Sequence, residues 1–353
     1  MRKILIFIYV ILAGVFLFSV GFTQEIRKNE DGLFTTDKLI DSIKIGSQNN
    51  IIIKSVSTLK GKIVITTSTD PMVKVSYYKK SNAGSRSHAT DYIDLISVNL
   101  DRMPDGIRVQ LRAPNPAPWA ENEASILEID ITVPDSSNID IDAVYFDVTA
   151  IGPFTKMKIP SSFGRLTISK VTKELELATS NRRISIEDIY GKISVSTTNS
   201  ILDAINIRSL NNTAVFQNRE GDIRIENFAG QINVRNSYGR IDLTEFQPIG
   251  NRNVIRGKSA PVTISITKMI EEQIIVSNHY EDIDITVPSD LSSILSLAAA
   301  DEGKIEVSGL KFQGDLIQES RMSLVAGNGD NTITCNVQGG GNIYIRGIEK
   351  DED

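Results

Sequence analysis

Ile184-Ser-Ile-Glu-Asp-Ile-Tyr-Gly-Lys-Ile-Ser-Val195 and Ile223-Arg-Ile-Glu-Asn-Phe-Ala-Gly-Gln-Ile-Asn-Val234 are one phrase written twice. Each opens with two apolar residues around a polar one, passes an acid and a turn former, and returns through glycine to a second apolar pair. Period-two alternation puts the two apolar side chains on one face of a strand and the intervening residue on the other. Working outward, the same unit recurs as Leu166/Ile168, Leu175/Leu177, Ile193/Val195, Ile205/Ile207, Ala214/Phe216 and Ile241/Leu243, most starts nine residues apart with one longer step. The intervening residues are Thr167, Glu176, Ser185, Ser194, Asn206, Arg224, Asn233 and Asp242, with Val215 the apolar exception. One face is therefore expected to be buried and the other wet.

Two kinds of connection alternate, so the unit is a strand pair. The first carries an apolar residue three positions after the strand: Val171, Ile189, Leu210, Phe228 and Phe246, at steps of 18, 21, 18 and 18. The second carries Asn181, Asn199, Asn218 and Asn236, at steps of 18, 19 and 18. Asn tolerates left-handed backbone angles at a sharp turn, and stacked Asn side chains can bond to one another in a ladder. Looser copies follow in Asn278-His-Tyr-Glu-Asp-Ile-Asp-Ile285 and Asn328-Gly-Asp-Asn-Thr-Ile-Thr-Cys335, and Gly303-Lys-Ile-Glu-Val307 and Gly341-Asn-Ile-Tyr-Ile345 extend the strand signal to the end. Ile129-Asp-Ile-Thr-Val-Pro134 recurs letter for letter at 283–288.

An all-β protein follows. Like residues every 18 positions favour a β-solenoid of the single-stranded β-helix type, about 18–21 residues per turn, because stacking sets each side chain about 4.8 Å from its counterpart. An antiparallel β-sandwich is the alternative, yet it has no reason to align identical turns, and no Asn-Gly or Asp-Gly two-residue turn joins these strands. The expected organisation is a signal peptide at 1–24, an irregular N-terminal β cap or first turns at 25–125, the repeat array at 126–347 and an acidic tail at 348–353. About ten turns would make a rod of roughly 50 Å. Ser81 to Thr90 and the proline-rich Pro114 to Pro118 read as long surface loops.

Arg2 and Lys3, the apolar run Ile4 to Phe18 and small residues around Ser19 and Gly21 have the order of a secretory signal. An uncleaved anchor is the alternative, since Ile4 to Phe22 nearly suffices to span a bilayer. Without residues 1–24 the chain keeps 36 basic and 44 acidic side chains, a formal charge of −8. A diffuse acidic excess argues against a nucleic-acid partner. The single cysteine, Cys335, cannot form an internal disulfide, so burial and backbone hydrogen bonds must hold the fold.

The early Gly61-Lys-Ile-Val-Ile65, the Ile-Thr-Val-Pro phrase and the recurring Asn/Gly-x-Ile-x-Ile units resemble those of exported bacterial proteins with a repeated-strand domain of unassigned function, grouped as adhesins by analogy. The resemblance covers roughly residues 45–347. It implies a single-stranded β-helix at or beyond the cytoplasmic membrane, and says little about activity.

The search for chemistry returns no catalytic, cofactor-binding or metal site. His88 and His279 lie far apart, each without a second ligand at metal spacing. Cys335 follows Ile333 at an inward position and reads as a small buried hydrophobe. Asp282/Asp284 and Asp140/Asp142 are outward pairs that read as solubilising, where Ca²⁺ would want six to eight oxygens together. Arg224 and Asp242, 18 apart, are expected to be neighbours on successive turns, and Trp119 follows three prolines on a loop. The functional expectation is an exported, non-enzymatic adhesin-like or scaffold protein, periplasmic, cell-surface or secreted. It binds a cell-surface protein or polysaccharide along a polar flank and touches membrane only through its N-terminal segment. A polysaccharide-active lyase or hydrolase on the same scaffold, and a membrane-anchored envelope-stress accessory, are the alternatives.

Overall fold

The computed structural model describes residues 25–46, 49–318 and 320–349, so the expected signal or anchor segment at 1–24 and most of the expected acidic tail lie outside the described residues. Among the described residues strands dominate, as expected of an all-β chain, with one helix at Arg86–Asp94. That helix occupies part of the stretch the sequence marked as a loop. Ser85 caps it, its side chain accepting the backbone N–H of His88, and Ala89 and Ile93 are buried.

From residue 138 to 288 every strand pairing recorded is parallel. Leu166 opposes Ile184, Ile184 opposes Leu202, Leu202 opposes Ile223, and Ile223 opposes Ile241. Each residue therefore meets its own counterpart 18 or 21 positions on. The inward residues form columns with essentially no exposure, among them Leu175, Ile193, Ala214 and Ile232, and Phe216, Phe228 and Phe246 pack ring against ring at 6.4 and 5.8 Å.

The apolar residue three positions after a strand has a conformational cause. Strict alternation would turn the second residue inward and the third outward. Lys170, Asp188, Asn206, Asn227 and Glu245 fill that second position in left-handed conformation, with φ from 52° to 61°. This half-turn rotates the next side chain, Val171, Ile189, Ile207, Phe228 or Phe246, back into the core. Asn206 Nδ2 donates to Asp188 Oδ1 at 3.2 Å and Asn227 Nδ2 to Asn206 Oδ1 at 2.8 Å, so a polar ladder runs along these bulges.

Two expectations are corrected here. The unit read as Ile205/Ile207 is Leu202/Ala204: Ala204 opposes Ile186 and Ile225, while Ile205 is exposed. Ile207, not Leu210, occupies the column of Ile189 and Phe228, and the extra residues of that turn loop out between Ser209 and Thr213. The small Ala204 gave a weaker apolar signal than the isoleucines beside it. The asparagines also divide into two columns, which the step of 19 conceals. Asn199 Nδ2 donates to Asn181 Oδ1 at 3.1 Å on the exposed corner. Asn218 and Asn236, by contrast, oppose the column of Thr179 and Thr197, are buried, and donate to backbone carbonyls of Ser200 and Gly221.

The two ends share a device. Asn50–Ser55 and Lys60–Ser68 lie between Gly106–Arg112/Ser125–Pro134 on one side and Asn138–Asp142/Phe146–Ile159 on the other, parallel to both. At the other end, Asn331–Gln338 and Ile343–Ile348 are inserted between Gln273–His279/Ile283–Pro288 and Ser293–Ala299/Ile305–Ser308. Antiparallel strands then cover outermost edges: Met72–Ser81 and Ser97–Met103 at the first end, and Arg321–Ala326 along Ser293–Ala299 at the second.

Candidate functional site

Outward residues on neighbouring strands are register partners about 4.8 Å apart, so the flanks read as rows of side chains. Most charged rows alternate in sign. Glu174 bridges Lys156 and Lys192 at 3.0 Å each, Lys158 meets Glu176 at 3.4 Å, and Arg183 meets Asp203 at 2.7 Å. The two lysines hold the Glu174 carboxyl below its ordinary range, Lys192 contributing most.

Arg224 and Asp242 are register partners as expected, yet Arg224 donates to Asp222 at 2.8 Å and lies 3.9 Å from Asp203. Partial burial raises the Asp242 carboxyl above its usual value. Asp284 pairs with Arg346 at 3.0 Å, while Asp282 Oδ1 accepts the backbone N–H and side-chain amide of Asn342. These two acids therefore hold a turn and a neighbouring strand. Asp140 and Asp142 lie on the strand Asn138–Asp142, which is paired on both sides.

Trp119 stands edge-on to Tyr92 at 5.0 Å and its indole N–H points to Thr58 O at 3.5 Å, a packing role at the helix. His88 lies on that helix, remote in the chain from His279. Cys335 is fully buried between Val276 and Leu297, and burial pushes its thiol up to about 12. Among the described residues no cluster of three or more His, Cys, Asp or Glu could hold a metal.

One place breaks the alternation of charge. Arg235 and Arg256 are register partners on adjacent strands, both exposed, and the row continues through Ser277 to Asn336. Two residues further on lie Lys258, His279 and Gln338, with His279 Nδ1 3.2 Å from Gln338 Oε1. Together they line an open cleft of about 530 Å³ in which no carboxylate takes part. Tyr238 and Tyr280 stand beside it, 53% and 54% exposed; the Lys258 ammonium sits 5.6 Å from the Tyr238 ring and His279 packs 3.9 Å from Tyr280. Of the residues lining the cleft, the sequence alone points to His279 and to the corner asparagines Asn236 and Asn278. The signal passed over is a basic residue directly before the corner in two successive turns, hidden because Arg235 and Arg256 are 21 apart, not 18.

No family model matches the chain, and no curated protein does. Among solved structures it is similar to a "putative cell adhesion protein" of Clostridium sporogenes, at 9% identity over 88% of this chain and 99% of the other, with a TM-score of 0.21. A "putative adhesin" of Parabacteroides merdae gives 8% identity, 87% and 95% coverage and a TM-score of 0.39. Another, from Bacteroides fragilis, gives 12%, 87% and 96%, and 0.27. At TM-scores below 0.5 these likenesses carry no argument about this chain.

Proposed function

We propose that the chain is an exported, non-enzymatic adhesin-like or scaffold protein, a β-solenoid rod whose polar flank binds a cell-surface protein or polysaccharide. The carrying observation is the sign and offset of pairing: parallel neighbours at 18 to 21 residues through 166–266 favour winding over the hairpins of a sandwich. A flank built this way is fixed by hydrogen bonds along both edges of each inner strand, so it presents many side chains at set spacing and little depth. That geometry suits extended, multi-point contact. The N-terminal sequence supports export. In this reading 25–125 supplies the cap and 126–347 the array, with 50–68 contributing a turn of its own.

Cysteine pairs test the winding. Ser194→Cys with Val215→Cys, register partners 21 apart, should cross-link, whereas Ser194→Cys with Asn212→Cys, 18 apart, should not. Binding is tested by presenting residues 25–353 to isolated envelope polysaccharides and envelope proteins. Saturable binding without shortening of the ligand is expected, and release of cleaved fragments would overturn the non-enzymatic reading.

The second reading, a polysaccharide-active enzyme, draws on one observation: Asp203, Arg224 and Asp242 occupy one row on three adjacent strands, and Asp242 holds its proton more tightly than an ordinary aspartate. Loss of a measured depolymerising activity in Asp242→Asn would favour it.

A further inference from the structure

We propose that the cleft at Arg235, Arg256 and Lys258 binds the uronic-acid residues of an acidic polysaccharide. This rests on the reading of the rod as a binder of surface polymers and names the ligand class.

The first ground is electrostatic. Like charges directly opposite on neighbouring strands are destabilising. At Lys156, Lys192, Arg183 and Arg346 the chain answers a cation with a carboxylate one strand away. Arg235 and Arg256 face each other with none: among the described residues no carboxylate lies within 4.0 Å of either, or of Lys258. Three unanswered cations share one concave site on a chain of net charge −6. An anion supplied from outside relieves that repulsion, and a cleft with walls of one sign concentrates it.

The second ground is the remaining lining. Ser277, Asn336 and Gln338 offer neutral donors and acceptors, which fit hydroxyl groups. Asn236 is 1% exposed and lines the cleft, and its Oδ1 has no hydrogen-bond partner. Its counterparts Asn218 and Asn278 each spend that oxygen on the next backbone N–H, at 2.8 and 2.9 Å. A buried acceptor left unsatisfied costs about 1–3 kcal/mol, so a donor reaching it, directly or through water, is favoured. Exposed Tyr238 and Tyr280 supply flat apolar faces with a polar tip, suited to the faces of sugar rings.

The third ground is what the site refuses. An acidic peptide would gain most of its affinity by adding a strand to a free edge. Here Asn253–Arg256 and Gln273–His279 are hydrogen-bonded on both sides, so no edge is free. The planar guanidinium fork matches a carboxylate in two parallel bonds.

The test is titration calorimetry of the chain from residue 25 with oligogalacturonate, dextran sulfate, dextran, polyglutamate and single-stranded DNA. Oligogalacturonate should bind saturably and weaken as salt rises. The double variant Arg235→Gln/Arg256→Gln should weaken it at least tenfold, Arg235→Lys/Arg256→Lys by less, and Arg183→Gln on a distant row not at all. The Gln variant removes a repulsion, so its thermal midpoint should not fall; the Lys pair retains the charge if it does. Binding of polyglutamate, dextran sulfate or DNA as tightly as oligogalacturonate would overturn the uronate assignment, as would uronate binding indifferent to Arg235 and Arg256. If oligogalacturonate fails but a neutral glycan or an envelope protein binds, this inference falls and the proposed function stands. If nothing from the envelope binds, both fall.

Discussion

Replacing Ile207 by Ala, and separately Leu210 by Ala, distinguishes the register of the fold from the one that sequence spacing suggests. Ile207 is wholly buried in the column of Ile189 and Phe228, whereas Leu210 is 56% exposed on the looped-out segment. Ile207→Ala deletes three carbons at about 0.8 kcal/mol each. The void is bounded by neighbours whose backbones are hydrogen-bonded to strands on both sides, so it closes poorly. A residual cavity of about 50 Å³ at about 24 cal/mol per Å³ adds about 1.2 kcal/mol, for a total near 3.5 kcal/mol. Leu210→Ala should stay within about 0.5 kcal/mol. Urea unfolding followed by far-ultraviolet circular dichroism reads both. With a slope of about 3 kcal/mol per molar, Ile207→Ala should lower the midpoint by about 1 M. Equal losses, or a larger loss for Leu210→Ala, would refute the assignment of the inserted residues to 210–212 and with it the column itself.

Gly191 has φ of 102°, and a Cβ there would lie 2.2 Å from the carbonyl oxygen of Lys173 on the preceding turn. Gly191→Ala should therefore cost at least about 1–3 kcal/mol in the same urea assay. Glu174→Gln should cost about 0.5–1 kcal/mol at neutral pH. Its folded-state carboxyl is depressed by Lys192 and Lys156, so the contribution is present above the unfolded value and lost as pH falls through the folded one, below which variant and parent should converge. Cys335, its thiol raised to about 12 by burial, should resist a disulfide reagent at pH 8 until urea unfolds the chain. Prompt labelling of the native protein would contradict its place between Val276 and Leu297.

The strand units were legible because burial on one face leaves a period-two trace in residue type, and Ile184/Ile186 and Ile223/Ile225 fall in one column as their spacing predicts. The exceptions have local causes. Ala204 carries little apolar signal although its position is as buried as any, and Asn206 looks like an outward strand residue when it is a left-handed bulge. The cleft was harder to see. Its cations come from turns of 21 residues, and its opposite wall comes from residues 336–338, brought beside 277–279 by a strand about 60 positions later. No local pattern encodes that juxtaposition. Only the recurrence of the Asn-corner phrase near Asn328 hinted that another turn remained to be placed.

That late insertion bears on how the ends are held. A stack of parallel strands leaves an open edge at each terminus, a template for pairing with other chains. In this chain the first and last turns are not the outermost ones. Residues 50–68 sit inside 106–134, and 331–348 sit inside 293–308, so each terminal turn is clasped on both sides by strands that arrive from elsewhere in the sequence. Peeling the last turn away would break two ladders instead of one and strip the inner wall, Asn336 and Gln338, from the cleft. The same clasp that protects the edge therefore completes the anion site. Removal of residues 331–353 should abolish uronate binding together with protection of Gln273–His279 in hydrogen exchange; retention of either in the truncated chain would break the link between end closure and recognition.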